Sequence, residues 1–213
     1  MYITTIQVTG VKPAFEAMRN PWNSWRKSDS TTEDGQFLIG EHDRALCETL
    51  IKGGPEHAKH TRMIQVYVTI CAPRYWWMEF DTYRIGVEKV SCSTMHTLTK
   101  RGFAPSDFEI DAPDNFTTQL ITHLEELRQA YLAEPDPAIK QHIWRSLIQH
   151  LPQSYLQTRT VMMSYAALRN ILRQRKGHKL REWHTFRDWA QTLPWSWMLF
   201  EEANHAESER TEN

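Results

Sequence analysis

Seven basic side chains crowd one stretch of this chain: Arg169, Arg173, Arg175, Lys176, Lys179, Arg181 and Arg187, with few acids among them. Guanidinium groups bind phosphates and carboxylates through paired N–H donors, so the stretch is a candidate anion site. Cations also suit the C-terminal half of a helix, where the dipole favours them, so helix capping stands beside that reading. Cys92 follows Lys89 closely, and a nearby ammonium can lower a thiol pKa and make a nucleophile. The alternative for Cys92 is a small, semi-buried, unreactive thiol. His57 and His60 sit in a loop, where surface histidines are common.

These residues need elements to hold them. Residues 151–175, LPQSYLQTRTVMMSYAALRNILRQR, start with a Leu-Pro break, pass through a β-branched run and end in a helical pattern. That predicts a strand followed by a helix carrying Arg169, Arg173 and Arg175 in its second half. Residues 63–71 alternate, with Ile64, Val66, Val68 and Ile70 on one side, and predict a strand. Residues 74–84 carry Trp76, Trp77 and Phe80 as one stripe and predict a helix with Pro73 in its first turn.

Two of these segments bear a resemblance to a known family. Residues 151–175 resemble the C-terminal signature of the flavin-dependent thymidylate synthases: Leu-Pro, a strand, then Asn-x-Arg-x-Leu-x-x-Phe-Leu-x-x-Arg. Leu151, Pro152, Leu168, Leu172 and Arg175 match, and Ile171 takes the aromatic place. Asn170 sits where many members have Asn or His. Ser164 replaces the family's Asn and Ala166 its Arg. Residues 66–98 resemble the segment with Ala-Pro, a helix and the hallmark Arg-His-Arg-x-x-Ser-x-Asn-x-x-Ser-x-Arg-Tyr. Ala72 and Pro73 match, and of the hallmark Arg84 is kept. Thr82, Tyr83, Val87, Lys89, Cys92, Thr94 and Met95 replace the other hallmark residues.

The resemblance implies an α+β fold, an antiparallel sheet with packed helices, and a homotetramer with FAD sites between subunits. It implies chemistry at C5 of a pyrimidine deoxynucleotide, dUMP to dTMP or a related one-carbon transfer, with a folate as donor. Arg175 falls on the arginine that stabilises the developing enolate, and Cys92 on a serine near dUMP, where a thiolate could add to C6 of the pyrimidine. Glu79, Ser93, Thr94 and Arg175 fall on the substrate side. Tyr83, Arg84, Ser164, Asn170 and His178 fall on the flavin side. Ala166 and Thr82 remove two arginines from that side. Each lost charge-assisted contact costs roughly 1.5–3 kcal/mol, so FAD binding would weaken by about 10² to 10⁴. Fold and function separate easily, so a non-catalytic nucleotide-binding protein that kept the fold is the alternative.

Composition sets bounds. The chain has 213 residues, a formal charge of −1 and 40% hydrophobic residues, ordinary for one globular domain. Near-neutral charge and no recognised aromatic-basic module disfavour a nucleic-acid binder. The 3 cysteines match no zinc or CxxC spacing, which predicts a reducing cytoplasm. No apolar run reaches membrane-spanning length. We expect one domain over 1–203 and a frayed polar tail over 204–213. The 9 tryptophans predict core or subunit contacts. The remaining expectations are a strand over 2–11, helices over 15–18, 41–52, 115–134 and 138–150, a loop over 20–35, a second C-terminal helix after Gly177, and a short helix over 195–202.

Overall fold

The computed structural model describes residues 1–200; the expected tail over 204–213 lies outside the described residues. The chain starts with β1 (Tyr2–Thr9) and turns at Gly10 into α1 (Val11–Met18). The strand is therefore shorter than expected and the helix starts earlier. Gly10 is the reason. Its φ is +83°, and a Cβ there would stand 2.2 Å from the Met63 carbonyl oxygen. Pro13 falls in the first turn of α1, where its missing N–H loses no bond.

The stretch expected as a loop contains two 3-10 turns and β2 (Thr31–Glu33), paired antiparallel with β3 (Gln36–Leu38). Asp34 and Gly35 join them with φ of 47° and 78°, the geometry that an Asp-Gly hairpin turn adopts. Next comes α2 (Glu41–Lys52), as expected. Its N-terminus is capped from a distance: Asp29 accepts from the His42 and Asp43 N–H groups at 2.8 and 3.0 Å.

Then follow β4 (Gln65–Pro73), α3 (Arg74–Phe80), β5 (Val87–Ser91) and α4 (Thr94–Thr97). Pro73 precedes α3 instead of opening it, and α3 stops short of Arg84. Two capped helices come next: α5 (Asn115–Ala133), with Asp114 accepting from Thr117 N, and α6 (Pro137–His150), with Asp136 accepting from Ala138 N and Ile139 N. β6 (Leu156–Ser164), α7 (Tyr165–Gln174) and α8 (Arg181–Gln191) complete the chain. Within the described residues, the expected short helix over 195–202 is a 3-10 turn, Ser196–Met198. The sheet order is β1-β4-β6-β5, and the fold is α+β with an antiparallel sheet, as expected.

The chain divides into two compact units. The first contains Met1–Thr4, Val68–Arg84 and Glu88–Val161; the second contains Thr5–Tyr67, Ile85–Val87 and the described residues from Met162 on. In the first, Leu98, Phe108, Leu124, Leu147 and Leu151 form one core cluster. Phe116, in the first turn of α5, is 69% exposed. Trp76, Trp77 and Phe80 are buried as the stripe predicted. In the second, Phe15, Val66, Tyr165, Leu168, Trp183 and Phe186 are buried. No helix among the described residues is long and apolar enough to cross a membrane. No group of three or more His, Cys, Asp or Glu among them is placed to hold a metal ion.

Candidate functional site

In the first unit several of the substituted hallmark residues are bonded to neighbours outside the hallmark. Thr82, in an arginine's place, turns its hydroxyl back to donate to the Glu79 carbonyl at 2.7 Å. Tyr83 packs edge-on against Phe80 at 6.3 Å. Arg84 is exposed and makes no side-chain hydrogen bond or ion pair with the described residues. Lys89 does not serve Cys92. Successive strand residues point to opposite faces, and the Lys89 ammonium pairs with Asp81 at 2.9 Å.

Arg159 joins that pair. It donates to both Asp81 oxygens at 2.8 and 3.1 Å and lies over the Trp77 ring at 4.2 Å. Its Nε and Nη2 donate to the Gln157 Oε1 at 3.0 and 2.9 Å. Partial burial pushes the Asp81 carboxyl up, but hydrogen bonds from Lys89 and Arg159 outweigh it and hold it below the usual range. Gln157 in turn donates to the Cys92 carbonyl and the Thr94 hydroxyl at 3.2 and 3.3 Å.

Cys92 is exposed, not semi-buried, and its sulfur lies 3.9 Å from the Thr97 hydroxyl. With Thr94, Thr97, Arg101, Tyr155 and Thr158 it lines a polar pocket of about 180 Å³. Arg101 is held there by both oxygens of Asp107. Burial raises the Tyr155 phenol above its ordinary value, so it stays protonated. Ser93 is half-buried and starts α4, its carbonyl accepting from Thr97 at 2.8 Å. Glu79, Tyr83 and Arg84 thus cluster at the end of α3, and Cys92, Ser93 and Thr94 at the start of α4.

The second unit holds Ser164, Asn170, Arg175 and His178. Ser164 caps α7, accepting from Ala167 N at 3.1 Å, and donates its own N–H to the Gly86 carbonyl at 3.0 Å. Asn170 is exposed and accepts from Arg173 and Gln174 at 3.3 and 3.1 Å. Arg175 stands just past α7, its guanidinium 4.6 Å from the Trp183 ring centroid and 3.2 Å from His178 Nε2. Arg187 donates to the Leu172 carbonyl at 3.4 Å and lies over the Phe200 ring. The basic stretch is therefore partly a set of internal contacts.

A cleft of about 710 Å³ also belongs to this unit, lined in part by Trp22, Lys27, Leu50, His57, Lys59 and Met63. Trp22 is 87% exposed. The Lys27 and Lys59 ammonium groups have no hydrogen bond or ion pair with the described residues. Behind the wall, His60 is buried against Cys47, its Nε2 3.2 Å from the sulfur, which corrects the surface reading. The lining is gathered from separate stretches between Ala17 and Met63, a clustering that local sequence patterns do not show.

The arrangement of strands and helices is similar to that of thymidylate synthase X from Helicobacter pylori, solved with FAD and dUMP. The TM-score is 0.71 at 20% identity, over 94% of this chain and 98% of that one. A second structure of the H. pylori flavin-dependent enzyme, also with FAD and dUMP, gives 0.70 at 21% identity and the same coverage. This chain has the flavin-dependent thymidylate synthase fold. No family model matches it, and no curated protein matches it in sequence. Of the residues singled out by motif, Thr82, Lys89 and Ser164 are engaged in the internal bonds described above.

Proposed function

We propose that the protein is a flavin-dependent enzyme acting at C5 of a pyrimidine deoxynucleotide, converting dUMP to dTMP or carrying out a related one-carbon transfer. The observation that carries this reading is the fold, matched over 94% of the chain to enzymes solved with FAD and dUMP. Arg175 supplies a cation where the reaction develops enolate charge. Glu79, Ser93, Thr94 and Arg175 are the proposed substrate contacts.

The residues present fit a flavin. The second unit's cleft has the volume of a ligand site. It offers an indole face for a planar ring and two ammonium groups for phosphates. Tyr83, Arg84 and Asn170 are proposed as flavin contacts from the motif resemblance alone. Bound FAD would supply hydride transfer; the chain's residues bind it and orient the nucleotide. A folate donor, a homotetramer and a cytoplasmic location complete the proposal. Exposed Met78, Val90 and Met95 give the first unit apolar surface for another copy.

The second reading is a nucleotide-binding protein without catalysis, favoured by Ala166 and by the hydrogen bond that turns Thr82 away. Titration with FAD, with and without dUMP, followed by absorbance and calorimetry, decides between them. Saturable FAD binding that tightens with dUMP supports the enzyme. Nucleotide binding without FAD supports the second reading, and binding of neither removes both.

A further inference from the structure

The corner between α7 and α8 contains a hydrogen-bond conflict. Gly177, with φ +68°, turns the chain there and brings residues 178–183 back beside Arg175. The Leu180 N–H is directed at His178 Nδ1 at 3.2 Å, and Arg175 Nη1 stands 3.2 Å from His178 Nε2. Both neighbours can only donate. A neutral imidazole has one N–H and one lone pair for accepting a hydrogen bond. Two donors therefore compete for one lone pair, and in either tautomer one of them is displaced from the ring.

The surroundings keep the contestants in place. The Arg175 guanidinium lies 4.6 Å from the centroid of Trp183, which is 2% exposed and packs edge-on against Phe186 and His178 at 5.7 and 6.1 Å. The His178 carbonyl is bonded to His184 Nε2 at 2.7 Å. The ring is thus held by its neighbours on both edges, with its nitrogens turned to protein donors.

We infer that His178 is a positioning residue for Arg175: it aims the guanidinium, surrenders it to a ligand carbonyl oxygen, and does not touch the flavin. This rests on the reading of Arg175 as the cation at the pyrimidine carbonyl. When a carbonyl oxygen accepts from Arg175, the competition ends. Nδ1 then accepts from Leu180, and Nε2 carries the hydrogen.

Nitrogen NMR of the imidazole tests the competition without any ligand. In the native protein the His178 tautomer ratio reflects two donors; in Arg175→Ala the ring shifts to the Nε2–H tautomer. Adding dUMP to the native protein produces the same shift. Identical ratios in native protein and Arg175→Ala overturn the inference. In turnover, His178→Phe keeps the ring packing and loses both nitrogens; kcat falls about a hundredfold while KM for dUMP and FAD affinity stay within about twofold. His178→Asn, which keeps an acceptor, recovers much of kcat, and thermal midpoints separate a folding defect from a positioning one. Weakened FAD binding with kcat intact in His178→Phe overturns the inference in favour of a flavin contact. If the native protein binds neither dUMP nor FAD, the proposed function falls, and the ligand-free tautomer comparison still decides the role of His178.

Discussion

Replacing Asp43 by alanine isolates the charge that organises the second unit's cleft wall. Asp43 is 1% exposed and accepts from Arg19 Nε at 2.6 Å and from the Ser28 and Ser30 hydroxyls at 2.5 Å each. Arg19 is itself 5% exposed and lines the cleft. Removing the carboxylate leaves the guanidinium buried without its counter-charge and releases both serines beside the β2–β3 hairpin. Breaking such a pair by deleting one partner costs about 3–5 kcal/mol, a large share of the roughly 5–15 kcal/mol that holds a typical domain folded. Replacing both partners by apolar residues, Arg19→Met with Asp43→Leu, removes the unpaired charge and is expected to lie within about 1.5 kcal/mol of the native protein. Urea unfolding followed by tryptophan fluorescence compares the native protein, Asp43→Ala and the double variant. Burial raises the Asp43 carboxyl, but the bonds from Ser28, Ser30 and Arg19 outweigh it and leave it depressed. Its contribution is therefore complete above the unfolded carboxylate range and is lost as pH falls through the folded value. A single variant costing under about 1 kcal/mol, or a double variant as unstable as the single, would refute the reasoning.

Further expectations concern the thiols, the acid limb of stability and the α7 cap. Burial pushes the Cys47 thiol up to about 12 and Cys71 is buried, so of the 3 cysteines Cys92 alone should react quickly with a thiol reagent in the native protein. Cys92→Ser should abolish that fast phase; fast labelling that persists would contradict the burial argument. Burial lowers His60 to about 4, so the unfolded chain takes up a proton first as pH falls below about 6.5. Stability then declines from there down to about 4, and His60→Leu should flatten that part of a stability–pH curve. Ser164→Ala should lower stability by about 1 kcal/mol through loss of the α7 cap, whereas Ser164→Asn, also a good cap, should cost less. Equal losses in the two, read by thermal unfolding, would assign the effect to packing beside Gly86.

The elements that sequence reveals best are those whose signal is local. α2 and α5 were expected over 41–52 and 115–134 and stand at Glu41–Lys52 and Asn115–Ala133. The alternation through Ile64, Val66, Val68 and Ile70 is matched by 0% exposure at all four. The β2–β3 hairpin was not read, although Asp34-Gly35 announces such a turn, because strands of three residues are too short to show alternation. α1 was misplaced because the close approach of Gly10 to Met63 is a long-range fact.

The same limit applies to the candidate site. Arg175 was singled out because it sits in a matched motif, but its contacts with His178 and Trp183 depend on the turn at Gly177. The Asp81–Arg159 pair joins residues 78 apart, and Lys89 joins it from the hallmark stretch. That bonding gives the altered hallmark a physical logic. Thr82 replaces an outward cation with a hydroxyl bonded to its own helix end, and Lys89 introduces a cation that Asp81 neutralises. Loss of function alone would leave the altered positions without interlocking partners. Here Lys89 and Thr94 form one connected set with Asp81, Arg159 and Gln157, which ties the end of α3 to the start of α4. A network with this many charge-assisted bonds fixes the backbone around Cys92. The changed residues therefore maintain the shape of the pocket even where they no longer reach for a cofactor.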